Sequence, residues 1–324
     1  MEHFSLSMPF KDYATDSFFE PCRSFFVFKD LIDDPKLFEG KTLGDIFLSW
    51  YGYERLYGEL AIRTLNKLYH RYPNKDYFVH VNDKKNDVGF IYLKSVSPKS
   101  RGRIFIVPGG GYRDVCGIEE GLETGLLASE LGMDVFICSY GTREDAAFPQ
   151  AGDDIASIID YVNNHTETYG NNLDYCLCGF SAAGHLCALL SSDKYGFKTY
   201  GITPPKALFL LYPVISLEVD THAMSRDIVL GDKRKDDPYW RKELSANNQV
   251  TSHYPPTFLA VGDCDICVPP ISSYLMRDAL IKEGVKMKYH CYKNLGHGFA
   301  YGRFTKADGW LPEALDFAGF PYLD

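Results

Sequence analysis

From about residue 103 onward the chain alternates between two patterns. Short, unbroken apolar runs rich in β-branched and aromatic residues are each followed by stretches with apolar residues at helical spacing. The apolar runs are Arg103–Val107, Asp134–Ser139, Tyr175–Cys178, Ala207–Tyr212, Thr257–Val261 and Lys286–Tyr292. Helices are predicted over Glu119–Leu131, Ala151–Tyr169 (Ile155, Ile158, Ile159 and Val162 on one face), Ala182–Ser191 and Ile271–Glu283. Strands without polar alternation are buried on both faces, and strands joined through helices run parallel. The pattern therefore predicts an α/β fold: a mostly parallel sheet with helices on both faces, and ligands bound at the carboxyl ends of its strands. Ahead of this series, Tyr77–Val81 and Gly89–Leu93 flank a polar turn, Asn82–Asp87, and predict an antiparallel hairpin.

Two stretches break the alternation. Residues 1–75 form a leader rich in Phe and Tyr. Within it Leu43, Ile46, Phe47, Trp50, Leu56, Leu60, Ile62, Leu65 and Leu68 predict one or two helices, ended by Arg71-Tyr72-Pro73-Asn74. The second, Ser216–Tyr254, is long, polar and weakly periodic, with a charge run at Asp232-Lys233-Arg234-Lys235-Asp236-Asp237. It reads as a solvated loop excursion, part of which can form one wall of a pocket.

A length of 324 residues suggests roughly two domains, although one α/β domain commonly reaches ~250 residues. The 45% hydrophobic and 24% charged content supports a sizeable core. A net charge of −9 argues against nucleic acid or an anionic membrane as partner. Met1-Glu2-His3-Phe4-Ser5 has neither a basic nor an apolar targeting region, and the longest apolar run, Ala207–Ile215, is too short to span a bilayer. The nine cysteines are odd in number, and Cys138, Cys176, Cys178 and Cys291 lie in strand-like runs. Reduced thiols and a cytoplasmic location are the expectation.

Candidate chemistry centres on Cys176-Leu177-Cys178-Gly179-Phe180-Ser181-Ala182-Ala183-Gly184-His185-Leu186. A strand runs into Gly179 and a helix leaves after Ser181, which is how a nucleophile elbow is built. Small neighbours are needed because the serine backbone is strained there. The usual G-x-S-x-G has Ala183 at its fifth position here, with Gly184 one step later. The competing reading is an ordinary strand–helix turn with a surface serine.

A nucleophilic serine needs a base, an acid to orient it and donors for an oxyanion. On sheets of this kind the order is Ser, acid, His. After the last strand stands Leu295-Gly296-His297-Gly298-Phe299, and its glycines leave the imidazole of His297 unobstructed. His185 reads as a packing or capping residue, and His80, His165, His222 and His253 have no partner visible in sequence. The acid should follow Thr257–Val261, where Gly262-Asp263-Cys264-Asp265-Ile266-Cys267-Val268-Pro269 carries two carboxylates. Asp265 is preferred to Asp263, because the loop must leave the sheet before its carboxylate can turn back to the histidine. Cys264 and Cys267 form a C-x-x-C, but no second such pair completes a zinc site, so plain thiols are expected. Val107-Pro108-Gly109-Gly110-Gly111-Tyr112 supplies close-approaching backbone N–H groups. A flexible turn or a phosphate loop are the alternatives, yet neither P-loop nor G-x-G-x-x-G spacing is present. The oxyanion donors are assigned to Gly110, Gly111 and Ala182.

Pro-Gly-Gly-Gly-Tyr, Gly-Phe-Ser-Ala-Ala-Gly-His-Leu, the G-x-x-D-x-x-V-P of Gly262–Pro269, and Gly-His-Gly-Phe resemble the esterase/lipase branch of the α/β-hydrolase superfamily. The likeness is greatest to acetyl-xylan-esterase-like and hormone-sensitive-lipase-like carboxylesterases, and it covers about Arg103 to Phe299. It implies an α/β-hydrolase catalytic domain, read over residues 76–324, and does not cover residues 1–75, which read as a largely helical extension. It also implies hydrolysis of small carboxylic esters, often acetyl groups on sugars, by Ser181, His297 and Asp265, with no metal or organic cofactor. Pro108, where many relatives have His, and Ala183 depart from the family pattern. The expected partner is a small-molecule ester. The leader is expected to act as a lid, an interface between copies in a homo-oligomer, or padding of the sheet edge. Two rival readings stand beside this one: an oligopeptidase-type hydrolase, for which the leader is too short to form the usual β-propeller, and a non-catalytic binding protein on the same fold.

Overall fold

Strands form where the chain places its unbroken apolar runs. The computed structural model describes residues 2–49, 55–82, 84–85, 87–171, 174–218 and 220–320. The strands are β1 (Phe78–His80), β2 (Gly89–Leu93), β3 (Gly102–Val107), β4 (Met133–Ser139), β5 (Tyr175–Phe180), β6 (Ala207–Leu211), β7 (Thr257–Gly262) and β8 (Met287–Tyr292). They make one eight-stranded sheet in the order β1-β2-β4-β3-β5-β6-β7-β8. The β1–β2 and β2–β4 pairs are antiparallel and the other pairs are parallel. Every residue of β3, β5, β6 and β7 is buried, as continuous apolar runs require when both faces are covered. Trp50 and, in the predicted hairpin turn, Asp83 and Asn86 lie outside the described residues.

The helices that matter for the site are α1 (Leu43–Ser49), α2 (Arg55–Arg71), α3 (Thr124–Glu130), α4 (Gln150–Asn164), α5 (Ser181–Leu190), α6 (Ala223–Leu230), α7 (Pro238–Glu243), α8 (Ile271–Lys282) and α9 (Trp310–Phe317). Three differ from the sequence expectation. The helix predicted over Glu119–Leu131 begins as a π-helical stretch, Gly117–Glu123, before continuing as α3. The helix predicted to reach Tyr169 is interrupted at His165, which leaves helical geometry with its Nδ1 2.7 Å from the carbonyl of Tyr161, and resumes as one turn over Thr166–Tyr169. Ser216–Tyr254 is not a plain loop, since it contains α6 and α7. Within its charge run Asp237 caps α7, accepting a 2.8 Å bond from Tyr239 N–H, with Pro238 at the first helical position.

The leader contributes its aromatics to the same hydrophobic core as the sheet. Phe4, Phe19 and Tyr13 pack ring to ring, and Tyr77 donates to the carbonyl of Phe18 at 2.8 Å. Asn66 of α2 holds the start of the chain by accepting from His3 and Phe4 N–H, both at 2.9 Å, and donating to Phe4 O at 3.0 Å. Further along, the leader reaches the loop after β3. Lys29 N–H donates to the Asp114 carboxylate at 2.9 Å, and Asp30 pairs with Arg113 and Arg143.

Candidate active site

β5 ends in the sheet and α5 starts at Ser181, so the serine sits on the turn between them. Its φ of 49° lies in the left-handed region, where a non-glycine residue is strained. The strain is held by packing on both sides. Ser181 O accepts from Val214 N–H at 2.9 Å. The glycine that stands one position late in the elbow has a steric reason. A Cβ on Gly184 would lie 2.5 Å from that of Pro213, so α5 could not close against the end of β6.

His297 follows β8, and its Nε2 lies 2.9 Å from Ser181 Oγ. On the other side of the ring, Nδ1 lies 2.6 Å from Asp265 Oδ2. A carboxylate only accepts, so the proton belongs on Nδ1, and the Nε2 lone pair faces the serine hydroxyl. Asp265 is buried, and its Oδ1 accepts from Cys267 N–H at 3.0 Å and Val268 N–H at 2.8 Å. Its rival Asp263 instead accepts from Asn294 N–H at 2.6 Å on the exposed β7–β8 side. Cys264 and Cys267 are free thiols, and among the described residues no three His, Cys, Asp or Glu side chains are placed to hold a metal ion.

The three glycines form a tight turn after β3. Gly110 O accepts from Arg113 N–H at 3.1 Å and Asp114 N–H at 3.0 Å. Gly110 has φ 119°, and a Cβ there would lie 2.2 Å from Asp114 O, so only glycine fits. The N–H of Gly109 is committed to Glu120 Oε2 at 2.6 Å. Those of Gly110, Gly111 and Ala182 meet no acceptor among the described residues. Ala182 lies in the first turn of α5, where the helix dipole favours negative charge. The glycine turn itself lies against the elbow, since a Cβ on Gly109 would lie 2.9 Å from that of Ser181.

Other residues of the site were not legible in sequence. His222, which had no visible partner, lies against the glycine turn: a Cβ on Gly111 would lie 3.3 Å from its Cε1. Its Nδ1 is 2.7 Å from Ser225 Oγ. Burial, and next the neighbouring His297, lower its pKa. Tyr212, at the end of β6 with φ 39°, turns its ring edge-on to His297 at 4.7 Å. His185 is fully buried between Tyr112 OH (2.9 Å from Nδ1) and the carbonyl of Leu244 (2.7 Å from Nε2). The carbonyl fixes the proton on Nε2, so Nδ1 accepts from the tyrosine. His185 thus ties α5 to both the glycine loop and the Ser216–Tyr254 segment.

Burial pushes the pKa of His185 down from 6.5 to about 4. The folded chain keeps this imidazole neutral while the unfolded chain protonates it, so stability is full above about pH 6.5 and falls as pH drops towards about 4. The loss should reach up to about 3 kcal/mol. Urea titrations at several pH values should show this decline, and His185→Gln should flatten it. A variant with the wild-type slope would show that the decline arises elsewhere.

A mostly parallel sheet with a serine on a strand–helix elbow, a histidine after the last strand and an acid after the one before it is the α/β-hydrolase fold. Residues 90–280, more than half of the chain, match the BD-FAE family model, and the chain belongs to that family. Endo-1,4-beta-xylanase B of Butyrivibrio fibrisolvens is 26% identical over 272 residues, covering 80% of this chain and 38% of that protein. The acetylxylan esterase of Xylanibacter ruminicola is 28% identical over 214 residues, 64% of this chain and 43% of that protein. The chain thus spans about two fifths of the length of these curated relatives. The crystal structure of an acetyl ester-xyloside bifunctional hydrolase from Caldicellulosiruptor lactoaceticus superposes with a TM-score of 0.65 at 26% identity, covering 75% of this chain and 97% of that one. No helix among the described residues is long and apolar enough to cross a membrane.

Proposed function

We propose that this chain is a serine carboxylesterase that hydrolyses small, short-acyl esters, acetylated carbohydrates among them. The observation that carries this reading is the unbroken hydrogen-bond chain from Ser181 Oγ through His297 to Asp265, beside three uncommitted N–H groups. Ser181 Oγ attacks the ester carbonyl while His297 Nε2 takes its proton. Asp265 stabilises the imidazolium, and the N–H groups of Gly110, Gly111 and Ala182 receive the oxyanion. The intermediate collapses and expels the alcohol, which takes the proton from His297. Water, deprotonated by the same imidazole, then attacks the acyl-serine and releases the acid.

The substrate class rests on two supports. One is that the similar proteins named above include an acetylxylan esterase and an acetyl ester-xyloside hydrolase. The other is a surface groove of about 1110 Å³ lined by Met224, Arg113, Arg143 and Lys233 among others, in which Met224 is also the residue whose Cε would lie 2.8 Å from a Cβ on Gly111. Its walls carry charges of both signs, which suits a polar alcohol better than a lipid.

Kinetics on p-nitrophenyl esters from acetate to octanoate test the reading, followed by acetylated xylo-oligosaccharides. Acetate should be turned over best. A kcat/KM that rises towards octanoate would overturn the short-acyl assignment, and no turnover of any ester would overturn the esterase itself.

A further inference from the structure

We propose that Glu120 is a positioning residue: a buried anionic clasp that joins the oxyanion loop to the histidine loop and supports the charge on His297. The proposal rests on the esterase reading. Glu120 lies in the π-helical stretch Gly117–Glu123 and is buried, and among the described residues no lysine or arginine is bonded to it. Burying a carboxylate without a fixed cation is costly, so its bonds call for an explanation.

Those bonds run to both halves of the reaction centre. Oε2 accepts the N–H of Gly109 at 2.6 Å, which leaves the next two N–H groups, those of Gly110 and Gly111, for an oxyanion. Oε1 accepts from Tyr212 OH at 2.9 Å. The same hydroxyl accepts from Ala300 N–H at 3.1 Å, three residues beyond His297, and the Tyr212 ring stands edge-on to the imidazole. One carboxylate therefore fixes the donor loop directly and the base loop through a single tyrosine. The π-helical geometry offsets the register by one residue and is how the chain brings this side chain under Gly109, as such bulges often do near functional sites.

The clasp is also electrostatic. Burial outweighs the other influences and raises the pKa of Glu120 above the ordinary carboxylate value, while the Gly109 and Tyr212 bonds and a positive His297 act to lower it. The groups that interact with it are Cys116 at the head of its segment, Tyr140 after β4, Cys178 of β5, Tyr212 after β6, Cys267 of the acid loop and His297, with Glu119 beside Cys116 and Tyr212. Of these, only His297 can become a cation. The imidazolium formed when His297 takes the serine proton is thus met by two carboxylates: Asp265 by contact and Glu120 through space.

The test is pH-dependent kinetics on p-nitrophenyl acetate with wild type, Glu120→Gln and Tyr212→Phe, alongside thermal melts. Glu120→Gln keeps the size, removes the charge and turns one of the two accepting oxygens into a donor. It should lower kcat by about 10–100-fold with KM nearly unchanged, and shift the acid limb of the kcat/KM profile to lower pH, because the imidazolium loses an anionic neighbour. Tyr212→Phe cuts the link to Ala300 but keeps the charge. It should lower kcat by about tenfold and leave the acid limb in place. A folded Glu120→Gln with wild-type kcat, or with reduced kcat and an unmoved acid limb, overturns the proposal. If Glu120→Gln does not fold, a folded Tyr212→Phe with wild-type kcat overturns it. A wild type inactive on every ester would overturn the esterase reading itself, and the clasp with it.

Discussion

Replacing Ser181 with alanine should lower kcat on p-nitrophenyl acetate by roughly 10⁴–10⁶ with little change in KM. The reason is atomic. Oγ is the only side-chain atom of the residue that can form the acyl bond, and it is the atom 2.9 Å from His297 Nε2. The rest of the site survives the change, because the bond that fixes the elbow from outside is made by the Ser181 carbonyl to Val214 N–H. Alanine is small enough for a backbone at φ 49°, so an unchanged melting temperature should accompany the loss. Residual turnover should come from the oxyanion donors and from water. A folded variant within about tenfold of wild type would mean that another nucleophile does the chemistry.

The second large effect is expected at Asp265. Asp265→Asn should reduce kcat by roughly 10⁴. The amide oxygen can keep the two backbone donors, Cys267 and Val268 N–H, that now hold Oδ1. The amide nitrogen must then face His297 Nδ1, where a carboxylate oxygen stood at 2.6 Å. A donor there forces the imidazole into the tautomer with its proton on Nε2, pointed at the serine, and that ring cannot act as a base. Asp263→Asn is the matched control. Its carboxylate serves Asn294 N–H and the Cys264 thiol on an exposed turn, so activity should stay within about threefold of wild type. Equal losses in the two variants would show that loop integrity, not the tautomer, is being measured.

The reach of the sequence can be judged from particular residues. Strand positions were legible because β3, β5, β6 and β7 are buried on both faces and carry no polar interruption. The three residues chosen by chain order, Ser181, Asp265 and His297, come within hydrogen-bond distance because each follows its own strand at the same end of the sheet. Glu120 was hidden because nothing in a helical repeat announces a π-helical turn. His222 and Tyr212 were hidden for another reason: their place depends on how α6 folds back over the glycine loop and on one positive φ after β6. The short helices of Ser216–Tyr254 are too brief to repeat a period, although Asp237-Pro238 did carry a capping signal. The last helix, α9, buries Trp310, Leu311, Ala314 and Leu315, whose spacing is helical in the sequence as well.

Lys29 and Asp114 stand 85 positions apart in the chain and share a hydrogen bond, with Asp30 paired to the neighbouring Arg113. The bonds of Lys29 and Asp30 to this turn cannot form until the turn after β3 has been made. The donor turn and the leader are therefore expected to mature in one step, and substitutions at 29–30 and 113–114 to be accepted in pairs rather than singly across descendants of this sequence. A leader exchanged for that of a distant relative should carry its own glycine turn with it, or leave the host enzyme folded but slow.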